Sequence, residues 1–487
     1  MKRNSDRLAP VVPIVVAAFC WVLGSPALGV DLPRIRLEPC GPTEARQDVL
    51  CGSFSVLENP QRPAGRRIGL RVEVLPALEG LRSGGAMFHL EGGPGIPATG
   101  ARDFYLGPGR DYRRGRDVVL LDQRGVGSDG LHCPALENRG PLDDDYTPAA
   151  VTECRLALQR RADLTQYGTW NSAGDIDLVR AALGYERIDV WALSYGTKLA
   201  QVYIKRFPKR VRTAFFLGTA PIDFQPPLFH AVNAQRALDE VFFDCQSDRA
   251  CRSAYPDLRG DWQRLLTRLD SAPVRVAIPG AGKGEEKTAE IRRGAFAEAL
   301  RNLMGTTAQQ RRLPLLIHSA ALGDFAPFLG ALRAGPSQFT EGLYLSVTCA
   351  EGAARIAAAD VGPVTTGTFL GSYRVTGEVS ACGQWPRRTV ADDFFAPATA
   401  DVPVLIVSGD ADAVTPPSWA ARVCAALPRC RLIRVPHLAH GPFDLDAWTG
   451  GDCLDRLATD LYRSGSAEAV DASCVTKMVP PPFAVAP

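Results

Sequence analysis

"IDVWALSYGTKLA", residues 188–200, carries the choice on which the fold turns: Ser194 is either a nucleophile on a strained turn or a serine that caps a helix. The run IDVWAL is β-branched and apolar, as a buried strand requires, and YGTKLAQVYIKRF (195–207) spaces its apolar residues as one helical face does. Ser194 therefore stands where a strand passes into a helix. Such a turn needs small neighbours, because the serine backbone is strained and its hydroxyl must stand clear of the sheet edge. The flanks are Ala192 and Gly196, so alanine replaces the first glycine of the usual G-x-S-x-G pattern. A capping serine fits this stretch equally well, and the rest of the chain has to decide.

Upstream, CGSFSVLEN (51–59), IGLRVEVLPA (68–77), GAMFHLEGG (85–93) and RDVVLLDQRG (116–125) read as strands joined by turns rich in Gly, Pro and Arg. Two amphipathic helices follow, AAVTECRLALQRRADL (149–164) and SAGDIDLVRAALGY (172–185). After the Ser194 unit comes another strand, VRTAFFLGTAP (211–221). Strands alternating with helices imply an α/β fold with a mostly parallel, doubly wound sheet. From 222 to 399 the pattern becomes helical, as in HAVNAQRALDEVFFDC (230–245) and GAFAEALRNLM (294–304), with a flexible loop expected at PGAGKGEEK (279–287). Strand and helix alternation returns in 400–475. The expected layout is thus a core in two parts, 30–221 and 400–475, split by a mostly helical lid at 222–399, with a Pro-rich tail at 476–487.

The chain has 487 residues, with 55 Lys and Arg against 53 Asp and Glu, a net charge of +2 and no basic stripe. That balance argues against nucleic acid as a partner. Residues 1–29 combine a basic start (MKRNSDR), an apolar stretch and a small-residue end at Ala27 or Gly29, the pattern of a cleaved secretory signal. An uncleaved N-terminal anchor is the alternative. Phe19 before Cys20 argues against lipoprotein cleavage, and no later segment is long and apolar enough for a span, so no stable membrane insertion is expected after cleavage. Of the 13 cysteines, one is Cys20; the remainder form an even set of near neighbours, Cys40/Cys51, Cys133/Cys154, Cys245/Cys251, Cys349/Cys382, Cys424/Cys430 and Cys453/Cys474. Disulfides in an oxidising compartment, periplasmic or extracellular, follow from that count, although sequence does not settle connectivity. There is no C-x-x-C pair and the six histidines lie apart from the cysteines, so neither a metal site nor a cofactor is expected.

A nucleophilic serine needs a base, and the base needs a carboxylate to orient it. The strand VPVLIVSG ends in DADAVTPP, offering Asp410 and Asp412; the strand RLIRVPH ends near LAHGPF, offering His437 and His440. Ser, Asp and His then fall at successive strand ends in a productive order. With so few histidines in the chain, that placement is informative. An oxyanion hole needs unobstructed backbone N–H groups after an early strand, which LEGGPG (90–95) supplies, and the residue after the nucleophile gives the second.

Taken together, LEGGPG, DQRGVGSDG, ALSYGT, SGDADAVTPP and HLAHGPF resemble the proline iminopeptidase and tripeptidyl aminopeptidase group of α/β-hydrolases. FFDCQSDRACRSAYPDL, SVTCAEG and ACGQWP resemble its exported, tripeptidyl aminopeptidase-like branch. The resemblance implies an α/β-hydrolase fold, nucleophile Ser194, orienting Asp412, base His440, and oxyanion donors Gly93 and Tyr195. Asp410 and His437 lie one step off the motif and read as structural. Glu91 stands where many relatives have histidine and reads as a supporting group, and Asp122 with Arg124 reads as a structural ion pair. Glu351, between two cysteines, is the candidate partner for a substrate ammonium, with a solvated surface glutamate as the competing view.

The expected function is that of an exported serine hydrolase, an aminopeptidase releasing short peptides or single residues from free N-termini. The alternatives are an exported carboxylesterase or lipase with the same triad, and a noncatalytic hydrolase-like binding protein, against which the intact Ser, Asp and His set argues. The partner is a peptide or small ester substrate. The sequence specifies neither residue preference nor oligomeric state.

Overall fold

Successive residues of the run 188–193 face opposite sides of one sheet, and both sides are covered: Val190 and Ala192 pack into one apolar cluster, Trp191 and Leu193 into another. The computed structural model describes residues 34–41, 48–78, 85–277, 288–332 and 339–486. The main sheet contains β1 (Glu38–Pro39), β2 (Leu50–Leu57), β3 (Arg67–Leu75), β4 (Ala86–Leu90), β5 (Asp117–Leu121), β6 (Ile188–Leu193), β7 (Val211–Leu217), β10 (Val404–Gly409) and β11 (Cys430–Val435). β8 (Val274–Ala277) and β9 (Thr288–Ile291) form a separate antiparallel ribbon. The main order is β1-β2-β3-β5-β4-β6-β7-β10-β11. The pairs from β1 to β5 are antiparallel and those from β5 to β11 parallel, which is the mostly parallel doubly wound sheet expected.

β4 has β5 on one side and β6 on the other, so the winding reverses there and a crevice opens beyond the carboxyl ends of β4 and β6. Residues 90–95 follow β4 and Ser194 follows β6, so topology alone sets these two loops side by side. The helices Pro148–Gln159, Thr169–Ala182, Tyr195–Arg206 and Pro417–Ala426 cover one face, and Cys453–Ser464 covers the other together with Tyr105 and Tyr112.

Residues of the insertion join two apolar clusters. Its first part packs around Phe242, Trp262, Phe296 and Phe328 as a cluster of its own; each such ring stabilises by about 1.5–3 kcal/mol when removed from water. Leu343, Val347, Trp385 and Phe394 instead join the cluster that covers the sheet. The second part does so through Glu341–Glu351, which is buried along its whole length, its Glu, Ser and Thr side chains included. The β8–β9 ribbon was not foreseen, and the loop expected at 279–287 lies outside the described residues, as does the signal at 1–29 with Cys20.

The Pro-rich end packs back onto the chain. Val479 bridges to Thr449, Ala484 N–H donates to Arg311 O (3.1 Å), and Tyr255 OH donates to Ala484 O (3.0 Å). Phe483 is buried beneath the Arg311 guanidinium at 4.1 Å. Six disulfides are present, Cys40–Cys51, Cys133–Cys154, Cys245–Cys251, Cys349–Cys382, Cys424–Cys430 and Cys453–Cys474. No helix among the described residues is long and apolar enough to cross a membrane.

Candidate active site

Ser194 takes φ 57° and ψ −124°, a conformation that costs a non-glycine residue of order 1–3 kcal/mol and clusters at functional sites. It is held by its N–H bond to Leu217 O (3.0 Å) and by Thr197 N–H on Ser194 O (2.9 Å). Gly196 is dictated by proximity, because a Cβ there would lie 2.0 Å from Leu90 O. Ala192 meets no such limit; it is an interior residue of β6 in register with Leu90 and Phe216.

His440 Nε2 lies 2.9 Å from Ser194 Oγ, and His440 Nδ1 lies 2.9 Å from Asp412 Oδ2 and 3.1 Å from Oδ1. Asp412 is fully buried. Burial alone would raise its pKa, but the His440 imidazole and the Thr415 hydroxyl and N–H outweigh it and hold the carboxyl below its usual range. Val414 N–H and Thr415 N–H donate to Oδ1 at 2.7 and 2.8 Å, and Thr415 Oγ1 to Oδ2 at 2.7 Å. Thr415 was missed by the sequence reading although it lies inside the DADAVTPP motif.

Gly218, just after β7, was missed as well. It has φ 60°, and a Cβ would sit 3.0 Å from His440 Cε1 and 3.1 Å from Nδ1. Gly218→Ala is expected to push the imidazole off its line and lower kcat about 10²-fold on every substrate, with KM little changed, because an ångström of misplacement is worth that much. Steady-state kinetics check it; a variant at full rate would mean that the ring has other room.

The loop 90–95 runs against the nucleophile, since a Cβ on Gly92 would lie 3.0 Å from Ser194 Cβ. Gly93 and Tyr195 share the wall of one cavity with Ser194. Tyr195 opens the helix Tyr195–Arg206, where N–H groups have no intrahelical acceptor and the helix dipole favours negative charge. Glu91 folds back on its own loop: Oε2 accepts from Gly92 N–H (2.7 Å) and Oε1 lies 3.6 Å from His89 Nε2.

The structure does not bring the other candidates into this line. Asp410 accepts from Arg434 Nε at 2.7 Å, and His437 Nδ1 meets Asp244 Oδ2 of the insertion at 2.7 Å. Asp122 and Arg124 are not a pair. The chain turns after β5, with Val126 N–H on Gln123 O, so Asp122 accepts from Thr99 N–H and Oγ1 while Arg124 clamps Asp175 at 2.7 and 2.8 Å. Glu351 is neither a surface group nor an open carboxylate. It is buried, its Oε2 lies 2.9 Å from Lys198 Nζ, and Thr169 donates to it through N–H (2.7 Å) and Oγ1 (2.6 Å). Glu351 and Lys198 both line the cavity that holds Ser194, where they stand as an ion pair.

The cavity above Ser194 has a volume of roughly 270 Å³. Its lid-side wall carries the carboxylates of Asp145, Glu298 and Glu341 and the guanidiniums of Arg139, Arg301 and Arg374, and the fully buried Glu378 pairs with Arg374. Burial pushes Glu341 up to about 7 against the pull of Arg139.

Comparison with known proteins agrees with this geometry. A family model described as alpha/beta hydrolase fold matches residues 90–319, and one described as TAP-like protein matches 367–474. The chain is 26% identical to the hydrolase YuaR of Escherichia coli K12 over 48% of its own length and 50% of that protein's. It is 29% identical to the serine protease Hip1 of Mycobacterium tuberculosis over 50% and 52%, and 31% identical to the tripeptidyl aminopeptidase of Streptomyces lividans over 46% and 42%. The chain spans about half the length of these relatives. With one model reaching from β4 into the insertion and the other across β10 and β11, the chain has the α/β-hydrolase fold, and its C-terminal part is similar to the TAP-like family.

Proposed function

We propose that the protein is an exported serine peptidase of aminopeptidase type. The observation that carries this reading is the hydrogen-bonded line from Asp412 through His440 to Ser194, ending at a cavity whose lid side is rich in carboxylate. His440 Nε2 takes the Ser194 hydroxyl proton as Oγ attacks the scissile carbonyl, and Asp412 holds the ring with Nε2 toward the serine. Gly93 and Tyr195 N–H groups receive the oxyanion. The imidazolium then gives its proton to the leaving amine, and water, activated by the same ring, hydrolyses the acyl-enzyme. The six disulfides and the signal pattern of residues 1–29 support export.

An aminopeptidase must also hold an ammonium away from water, which requires a carboxylate partner. In place of Glu351, this reading assigns the partner to the lid-side cluster, where Asp145, Glu298 and Glu341 line the cavity beside Arg139, Arg301 and Arg374 and burial holds Glu341 up to about 7. A bound ammonium would also draw Glu341 into its ionised form. N-acetylation of a peptide anilide is therefore expected to lower kcat/KM by about 100-fold or more, since it removes the cation that the ionised Glu341 carboxylate would pair with, a difference near 3 kcal/mol. Equal cleavage of acetylated and free peptides would sink the aminopeptidase reading in favour of an endopeptidase. Turnover of simple esters alone would make the protein a carboxylesterase.

A further inference from the structure

The segment that carries Asp412 divides its backbone groups between two parts of the fold. Its N–H groups serve the core: Val414 and Thr415 donate to the Asp412 carboxylate, and Asp410 and Ala411 donate to Val435 O (3.0 Å) and Leu438 O (3.1 Å). Its carbonyls serve the insertion. From the helix Pro226–Ser247, Arg236 donates through Nη1 to Asp410 O (2.7 Å) and through Nη2 to Asp412 O (2.5 Å), and Asn233 Nδ2 donates to Val414 O (3.0 Å). From the helix Thr307–Ala321, Gln310 Nε2 donates to Ala411 O (2.9 Å).

A loop carbonyl can be satisfied by water or by its own turn, neither of which fixes it against a distant helix. Here three side chains of the insertion take four carbonyls along one short loop. Arg236 contributes most to the geometry, because its planar fork fixes two acceptors in one arrangement, which an ammonium does not. Holding Asp410 O and Asp412 O together sets the two peptide planes that flank Ala411 and Asp412, and with them the direction in which the Asp412 side chain leaves the backbone. That direction matters, since the carboxylate oxygens stand 2.9 and 3.1 Å from His440 Nδ1. Arg236 itself is not part of the wall of the Ser194 cavity, although Pro226 and His230 of the same helix are.

We propose that Arg236 is a positioning residue for the reaction: acting through the backbone of Asp412, it aims the carboxylate at His440, with Asn233 and Gln310 assisting. This rests on the reading of Ser194, His440 and Asp412 as a triad and deepens it. The His440 loop is tied to the same insertion, for Thr307 Oγ1 donates to His437 O (3.0 Å) and accepts from Ala439 N–H (3.1 Å), and Gly441 N–H donates to Gly305 O (3.0 Å). The insertion is thereby part of the catalytic apparatus as well as a wall of the substrate cavity. Because Arg236 reaches the chemistry only through Asp412, its removal bears on kcat and leaves substrate binding alone.

The test is a double-mutant cycle, read on a peptide anilide and on an aryl acetate ester. Arg236→Gln is expected to lower kcat about 10- to 100-fold on both with KM little changed, and Arg236→Lys, which keeps a charged donor without the fork, to lose less. In an Asp412→Ala background the same Arg236→Gln is expected to cost less than about threefold, since the group that it aims is gone. Equal losses in the two backgrounds would mean that Arg236 only keeps the fold, and they overturn the assignment, as does Arg236→Gln at full rate. Thermal unfolding identifies a variant that has lost its fold; should Arg236→Gln be one, Arg236→Lys carries the cycle, and a loss that persists in the Asp412→Ala background is again the overturning result. Asp412→Ala at full rate would refute the triad, and the role of Arg236 with it. A wild type that cleaves the acetate but no peptide would refute the peptidase reading alone, and the cycle on the acetate still decides the role of Arg236.

Discussion

Ser194→Ala is expected to lower kcat on every substrate by on the order of 10⁴- to 10⁶-fold and to abolish labelling by a fluorophosphonate probe, as removal of a nucleophile that works in concert with its base does. Its Oγ is the group within 2.9 Å of His440 Nε2, and the probe needs a hydroxyl whose proton has somewhere to go. The fold should survive. Residue 194 keeps its backbone bonds to Leu217 and Thr197 whatever the side chain, so unfolding should shift by no more than about 1 kcal/mol. Labelling that persists in the variant would move the nucleophile to another residue, and a folded wild type that never labels would remove it altogether.

The second large effect separates two histidines that share one loop. His440→Ala is expected to cost about 10⁴-fold or more in kcat, whereas His437→Ala should keep most of the activity. The residues are alike in type and only three positions apart, so composition cannot explain a difference. Their partners can: His440 stands between Asp412 and Ser194, and His437 turns to Asp244 on the insertion. Steady-state rates on one good substrate decide it, and the reverse result would make His437 the base.

Sequence and structure agree where chemistry is tied to strand ends. Ser194, Asp412 and His440 each follow a buried strand, and a strand's period and its terminating loop are local properties that a sequence displays. The same holds for the sheet and for the loop 90–95. What escaped the sequence depends on partners far along the chain. Lys198 meets Glu351 from another helix, and Arg374 Nε meets His230 Nδ1 across 144 residues of chain. Gly218 reads as any glycine at a strand end until the His440 ring is seen against it. Asp122 and Arg124 misled because closeness in sequence was taken for contact, while the turn between them sends each to a different neighbour. Which of the two apolar clusters Glu341–Glu351 fills is likewise set by residues far along the chain.

The split sheet has a consequence for the order of events during synthesis. β10 lies against β7, with Val404 opposite Ala214, so that pairing closes a loop of nearly two hundred residues, an entropic toll of about 4–5 kcal/mol by chain-closure scaling. A growing chain that has made the Ser194 strand and helix still lacks Asp412 and His440, both of which emerge after most of the polypeptide has been made. Until then Ser194 has no base, and its hydroxyl is no more reactive than that of any other serine. Long-range pairing of this kind is slow to form. On the proposed reading the late strands act as a built-in delay: a truncated or half-folded copy carries Ser194 without Asp412 and His440, and activity would report that the whole core has closed.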